Sequence, residues 1–187
     1  MPKLYTKTGD NGMTSLYDGS RLKKSSIFFD VLGDLDELSS HIGLLCAKIY
    51  SSDFNMLDKL REIQVKLLDI GSNIAVVDKD KKKNIPKLSE NDVKNMEEWI
   101  DLCEESNNKL TEFLLTGVSD QDSQCHICRA VSRRVERHMW LLNDDIDIDQ
   151  NILRYMNRLS DFFFAFARNL TTSEIKVSDI KNKLSRQ

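Results

Sequence analysis

The stretch that decides the fold is Ser26-Ile-Phe-Phe-Asp-Val-Leu-Gly-Asp-Leu-Asp-Glu-Leu-Ser-Ser-His-Ile-Gly-Leu-Leu-Cys-Ala-Lys-Ile49. Its apolar residues recur every three or four positions, at Val31, Leu35, Leu38, Ile42, Leu45 and Ile49. That period places them on one face of a helix, which we expect to run from about residue 26 to residue 51.

Four further segments have the same period, and we expect helices over about 54–77, 89–106, 119–143 and 150–172. Ser89 and Asp149 are suitable N-caps for two of them. The chain has only 7 Gly and 2 Pro, too few turn residues for a fold with many strands. The connections between the helices are short. The sequence therefore predicts an all-α protein, an antiparallel bundle of five helices.

Composition limits the class of function. The 187 residues suit a single domain with a sizeable core, and 27 Lys+Arg against 30 Asp+Glu give a net charge of −3. This balance argues against a surface built to follow nucleic acid, and no apolar run is long enough to predict a membrane span. Cys125 and Cys128 have metal-like spacing, but no second pair completes four ligands, so we interpret them as structural, reduced thiols.

The two ends of the chain differ from the helices. Residues 1–24 contain Gly9, Gly12 and Gly19 among several threonines, a composition typical of a loop whose backbone N–H groups approach a ligand closely. It is not a phosphate-binding loop of the Walker A type, and a disordered tail is the alternative. The last residues, from about 175 to 187, are polar, and we expect them to fray.

Four arginines lie close together on the fourth predicted helix. Arg129, Arg133 and Arg137 are spaced i, i+4, i+8 and share one face, with Arg134 beside them. Like charges at this spacing repel, and a guanidinium matches phosphate and carboxylate geometry. The pattern indicates either a site for a phosphorylated ligand or a solvated arginine face.

Polar residues on two other helices extend this pattern. Asn157 and Asp161 share a face of the fifth predicted helix, and a short connection would bring them near Arg133 and Arg137. On the first helix, Asp36 lies among apolar neighbours, so we expect a buried acid there with Arg129 as partner. Pairing on the helix surface is the alternative. Because no E-x-x-H pair occurs, a ferritin-type di-iron centre is disfavoured.

Four segments in this order resemble the PduO-type ATP:cob(I)alamin adenosyltransferases: Thr6–Ser15, Gly33–Leu38, Arg129–Arg137 and Asn157–Asp161. Their order and approximate spacing match the family from Leu4 to about Asn169. The resemblance implies a five-helix, ferritin-like bundle that assembles as a homotrimer with active sites between subunits. It also implies that the protein transfers the 5′-deoxyadenosyl group of ATP to cob(I)alamin, giving adenosylcobalamin and triphosphate.

The resemblance also implies roles for individual residues. ATP would be bound by Thr6, Lys7, Thr8, Gly9, Thr14, Ser15, Lys24, Arg133, Arg134, Val135, Glu136, Arg137 and Asn157, with Arg133 catalytic through the triphosphate charge. Cobalamin would be bound by Phe113, Asp36 and Arg129, the last two as an intersubunit ion pair. Phe113 would displace the lower axial base and leave a four-coordinate cobalt. No protein metal site is implied, since Mg²⁺ would bind through the ATP phosphates.

The sequence departs from the family at Thr116-Gly117-Val118, where the family has Pro-Gly-Gly after a leucine. This departure favours one alternative, a protein that binds cobalamin without catalysis. A nucleic-acid-binding bundle is a third hypothesis, which the net acidity disfavours. The resemblance implies a cytoplasmic protein, or a mitochondrial-matrix one for a eukaryotic chain whose transit peptide has been removed. A corrinoid reductase and an adenosylcobalamin-dependent enzyme are candidate partners.

Overall fold

The computed structural model describes Tyr5 and residues 7–49, 54–171 and 173–186. These residues form seven helices: α1 (Ile27–Ile49), α2 (Phe54–Ile74), α3 (Lys79–Lys82), α4 (Glu90–Ser106), α5 (Asp120–Asn143), α6 (Gln150–Asn169) and α7 (Val177–Leu184). The mostly helical prediction is confirmed. The count of five is not, because the short α3 and α7 lack the long apolar stripe by which helices were recognised in the sequence.

Apolar stripes hold the long helices together. Helix α1 packs against α2 and α5, and α6 packs against α5 and α4. The stripe of α1 is fully buried, and α6 buries the aromatic residues Tyr155, Phe162, Phe163 and Phe166. Phe162 stacks on Phe166 with ring centroids 5.7 Å apart. Burial of these faces, rather than helix propensity, stabilises helices of this length.

The helix starts are capped as the sequence predicts. Asp149 accepts a hydrogen bond from the amide of Asn151 at 2.8 Å. Asp92, in the first turn of α4, accepts one from the Ser89 amide at 2.6 Å and pairs with Lys66 of α2 at 2.6 Å. Although burial raises the pKa of Asp92, these hydrogen bonds outweigh it and lower that pKa. The Lys66–Asp92 contact thereby links α2 to α4.

Four short strands form two antiparallel pairs that the periodicity did not predict. Strand β1 (Met13–Ser15) pairs with β2 (Arg21–Lys23), and β3 (Leu114–Leu115) pairs with β4 (Ile175–Lys176). The expectation of a frayed tail from about residue 175 is wrong, because β4 and α7 are formed there. The tail is polar, but long-range pairing with β3 orders it.

Hydrogen bonds fasten the N-terminal segment to the residues that follow α2. Asp18 accepts from the amides of Val77 and Asp78 at 2.9 and 3.0 Å, and from that of Ser20 at 2.9 Å. These bonds, that of Ser20 foremost, hold the pKa of Asp18 well below its usual range. Residues 7–24 therefore have a defined position beside the helical bundle.

All four cysteines are free thiols buried in the core. Burial raises the pKa of Cys46 and Cys125, and it raises the pKa of Cys128 to about 12. The thiol of Cys125 donates to the carbonyl of Phe163 at 3.2 Å, which places it between α5 and α6.

Among the described helices, none is long and apolar enough to cross a membrane.

Candidate functional site

The arginines of α5 have different surroundings. Arg133 and Arg137 are exposed, and Arg137 Nη1 donates to the carbonyl of Arg133 at 3.2 Å. In the part of the chain that the structure describes, no carboxylate forms an ion pair with either side chain. Two neighbouring guanidinium groups thus face solvent with their charge uncompensated by a direct partner, an arrangement suited to an anionic ligand.

Arg134 is instead held by two carboxylates of α1. Its Nε lies 3.0 Å from Asp34 Oδ1, and its Nη2 is hydrogen-bonded to Glu37 Oε2. Asp34 Oδ2 also lies 2.8 Å from Nδ1 of His138, one turn further along α5. The sequence reasoning missed Asp34 and Glu37, although their i, i+3 spacing indicates one face of a helix that packs on α5.

Asp36 is exposed in the single chain, so the burial expected for this acid is not provided by its own subunit. The partly buried acid of this segment is Asp34, two positions earlier, whose side chain is 14% exposed. No ion pair joins Asp36 to Arg129 within the described residues. A helix turns by about 100° per residue, so Asp34 and Asp36 point to different sides of α1.

Asn157 and Glu136 connect α6 to α5 beside the arginines. The Asn157 amide nitrogen donates to Glu136 Oε1 at 3.0 Å, and its oxygen accepts from Arg158 at 2.7 Å. The pKa of Asp161 is raised, first by burial and also by the negative charge of Glu136. The positive charges of Arg158 and Arg133 lower it, but only in part. Of the expected proximity of Asn157 and Asp161 to Arg133 and Arg137, these contacts show Asp161 near Arg133 and Asn157 near Glu136. Val135, by contrast, is fully buried in the core, so the described chain does not support the expectation that it contacts ATP.

The N-terminal segment forms a cationic loop. A Cβ atom built on Gly9 would lie 3.3 Å from Lys24 Nζ, so the lysine amine sits directly above this glycine. Lys7 has a φ of 60°, an uncommon backbone conformation for a residue with a side chain. Thr14 and Ser15 lie on β1. Thr6 lies outside the described residues.

A cavity of about 280 Å³ lies between the 110–118 segment, α5 and the end of α6. Phe113 and Arg129 both line it, together with His126 and Phe164. Arg129 Nε donates to His126 Nδ1 at 3.3 Å, and burial, followed by the charge of Arg129, lowers the pKa of His126. The neutral imidazole is therefore favoured, which lets Nδ1 accept this bond. Phe113 is 87% exposed at this cavity.

The chain bends around Gly117, within the segment Thr116-Gly117-Val118. Gly117 has a φ of 98°, a conformation that favours glycine, and its amide donates to Asp122 Oδ2 at 3.2 Å. Asp122 Oδ1 accepts from the Ser119 amide at 2.7 Å. The buried Asp122 thus fixes the end of the 110–118 segment against the start of α5.

Among the described side chains, no group of three or more His, Cys, Asp or Glu could hold a metal ion.

Comparison with known proteins gives consistent matches over nearly the whole chain. The sequence model of the family described as cobalamin adenosyltransferase matches residues 4–170. A corrinoid adenosyltransferase of Bacillus subtilis is 40% identical over 168 residues, which cover 89% of this chain and 85% of that protein. The human corrinoid adenosyltransferase MMAB is 34% identical over 177 residues, covering 93% of this chain and 71% of that protein.

Solved structures resemble the fold closely. A phenylalanine-to-alanine variant of the PduO-type ATP:corrinoid adenosyltransferase from Lactobacillus reuteri, complexed with cobalamin and ATP, superposes with a TM-score of 0.87. It is 31% identical, and the match covers 93% of this chain and 98% of that one. An arginine-to-lysine variant of the same enzyme, complexed with ATP, has a TM-score of 0.84 at 31% identity, covering 92% and 99%.

Proposed function

The chain belongs to the cobalamin adenosyltransferase family, and from this premise we propose that it transfers the 5′-deoxyadenosyl group of ATP to cob(I)alamin. In this reaction the electron pair of cobalt(I) forms the bond to ribose C5′. The C5′–O bond breaks, and its electrons leave with triphosphate. Because the corrinoid supplies the nucleophile, the protein has to bind, orient and neutralise charge.

The observation on which the proposal rests is the contrast among the α5 arginines. Arg134 is ion-paired to α1, whereas Arg133 and Arg137 are exposed and have no described carboxylate as ion-pair partner. Guanidinium groups positioned in advance stabilise negative charge as it develops on a leaving group. We assign Arg133 to the triphosphate in the transition state, and Arg137 and Asn157 to the bound nucleotide.

The N-terminal loop supplies the other half of the nucleotide site. Lys24, above Gly9, is suited to a phosphate, and we assign Lys7, Thr8, Gly9, Thr14 and Ser15 to the rest of ATP. Thr6, which the sequence also suggested, lies outside the described residues. On the α5 side, Glu136 borders this site through its hydrogen bond to Asn157. The sequence also suggested Arg134 and Val135, but Arg134 is held by α1 and Val135 is buried, so we assign neither a direct contact with ATP. Mg²⁺ would be held by the phosphates of ATP and would neutralise part of the leaving-group charge.

The corrinoid would lie at the cavity that Phe113 and Arg129 line. An apolar ring placed below cobalt excludes the lower axial base, and removing an axial donor makes cobalt(II) easier to reduce. Asp36, exposed in the single chain, is free to reach Arg129 of a neighbouring subunit. We therefore propose a homotrimer of ferritin-like bundles with sites between subunits, supplied by a corrinoid reductase and serving an adenosylcobalamin-dependent enzyme.

A single-turnover experiment tests the reaction. The absorbance of cob(I)alamin is followed under strong reductant and Mg²⁺, with and without ATP, and triphosphate is measured at the end. We expect one triphosphate for each adenosylcobalamin formed. Corrinoid binding with no triphosphate release would instead indicate a non-catalytic cobalamin-binding protein, the hypothesis favoured by the Thr116–Val118 departure.

A further inference from the structure

The ring of Phe113 is not positioned by core packing. It is 87% exposed, although its proposed task requires a defined place below the corrinoid. An exposed aromatic side chain keeps its direction only if the backbone that bears it is fixed. The contacts of the flanking peptide groups therefore decide where this ring points.

Those contacts come from the other end of the chain. The amide of Val177 donates to the carbonyl of Phe113 at 3.1 Å, and the amide of Ser178 donates to Glu112 Oε2 at 3.2 Å. Leu114 is paired with Lys176 in the β3–β4 ladder. The hydrogen bonds of Ser178 lower the pKa of Glu112, so its carboxylate is charged where it meets the N-terminus of α7.

We call residues Ser173–Leu184 the C-terminal strap. A buried arginine of α6 anchors it: the side chain of Arg168 is 3% exposed, and its Nε lies 2.7 Å from Glu174 Oε1. Arg168 Nη1 also pairs with Glu104 of α4 at 3.3 Å, and its Nη2 binds the carbonyl of Asn108. One guanidinium thus ties together α6, the strap and the start of the segment that leads to Phe113.

We propose that the C-terminal strap, anchored by Arg168, is a positioning element that sets Phe113 at the corrinoid site. The inference rests on the proposed adenosyltransferase function and extends it to residues beyond 170, where the family match ends. Arg168 and Glu174 line the same cavity as Phe113, so the anchor and the ring face one space.

The expected consequence is selective for the corrinoid half of the reaction. A displacement of about 1 Å at a reacting group is enough to lower a rate strongly. Loosening the strap should therefore weaken corrinoid binding and the conversion of bound cobalt(II) to its four-coordinate form. The nucleotide residues of α5 and β1 make no described contact with the strap, so ATP binding should be unaffected.

The variant Val177→Pro tests the central hydrogen bond in the full-length protein. Val177 is the first residue of α7, a position that favours proline, and Lys176 before it has φ −79° and ψ 140°, which proline also permits. The substitution thus removes the backbone N–H that donates to the Phe113 carbonyl, while the helix start is preserved. Val177→Ala is the matched control, because it shortens the side chain and keeps the amide.

For Val177→Pro we expect the KM for cob(I)alamin to rise about fivefold, the factor for one hydrogen bond, with the KM for ATP unchanged. The ratio of four- to five-coordinate cob(II)alamin, measured by EPR with ATP bound, should fall by a similar factor. Val177→Ala should match the unaltered protein in both. Glu174→Gln, which weakens the anchor without touching the 112–115 backbone, should shift the EPR ratio in the same direction as Val177→Pro.

Two results would overturn the inference: an unchanged cob(II)alamin spectrum in Val177→Pro, or equal rises in the KM for ATP and for cob(I)alamin. Thermal unfolding of each variant shows whether it is folded. If Val177→Pro proves unfolded, the EPR ratio of Glu174→Gln provides the test, and an unchanged ratio there overturns the inference. If the unaltered protein forms no adenosylcobalamin at all, the proposed function fails instead.

Discussion

Arg133 and Arg134 are adjacent in the sequence but should give opposite results when each is replaced by alanine. Arg133 is exposed and forms no ion pair with the described carboxylates, whereas Arg134 bridges to Asp34 and Glu37 of α1. If the first residue serves the ligand and the second serves the fold, activity and stability will separate between the two variants.

The stability effect follows from the ion pairs that are lost. The side chains of Arg134, Asp34 and Glu37 are 35%, 14% and 45% exposed, so solvent screens both pairs in part. We expect Arg134→Ala to lower the free energy of unfolding by about 1–2 kcal/mol and Tm by about 3–6 °C. Arg133→Ala removes no such contact and should change the free energy of unfolding by less than about 0.5 kcal/mol.

The activity effect follows from the charge of the leaving group. Removing one preorganised donor to a developing anion lowers kcat by roughly 100- to 1,000-fold. We expect a loss of this size for Arg133→Ala in single-turnover formation of adenosylcobalamin. Arg133→Lys keeps the charge without the planar guanidinium and should recover part of the rate.

Calorimetry and stopped-flow absorbance on the same preparations provide the two measurements. The reasoning is refuted if Arg133→Ala keeps a kcat within a few-fold of the unaltered protein. It is also refuted if Arg133→Ala and Arg134→Ala lower Tm equally, because the difference in their contacts would then have no energetic meaning.

Three further outcomes are expected. Asp92→Asn should lower stability at pH 7 by about 1 kcal/mol, because the charged bond to Lys66 is lost. Since the fold lowers the pKa of Asp92, urea titrations should show this gap closing as pH falls below the ordinary value of 3.8 and through the lowered pKa of the folded state. Asp161→Asn should raise Tm at pH 7 but not below pH 3.8. The pKa of Asp161 is raised in the fold, so its ionised form destabilises the folded state above pH 3.8, whereas below that pH the carboxyl is protonated in both states. A lower Tm of this variant at pH 7 would contradict the assignment. Phe113→Ala should leave Tm unchanged, given the exposure of the ring, yet abolish the four-coordinate cob(II)alamin signal in EPR, and a retained signal would remove Phe113 from its proposed role.

Periodicity predicted the long helices well because burial of one face is a local pattern. The six residues of the α1 stripe that the spacing identified are all buried. By spacing, Ile127 falls on the same face of α5 as the buried Val131 and Val135, yet it is 42% exposed. Spacing identifies a helical face, but the rotation of that face toward a given neighbour depends on packing that a single helix does not encode.

The same limit explains the errors at the candidate site. Choosing between Asp34 and Asp36 as the partly buried acid requires knowing how α1 is rotated about its axis relative to α5. The two side chains lie about 200° apart around the helix, so the rotation decides which of them faces α5. The C-terminal strap was missed because β3 and β4 have two residues each and pair across some 60 positions. No local period exists in so short a strand, and the pairing energy appears only when the chain has folded.

The burial of all four thiols makes the protein a convenient background for labelling. Alkylating reagents attack the thiolate, and a thiol with a pKa near 12, such as that of Cys128, is almost wholly protonated at neutral pH. A single cysteine introduced on the outer face of α7 would therefore be the one site that a fluorophore marks. Its emission would report the movements of the C-terminal end of the molecule directly, without first stripping the interior of its native side chains.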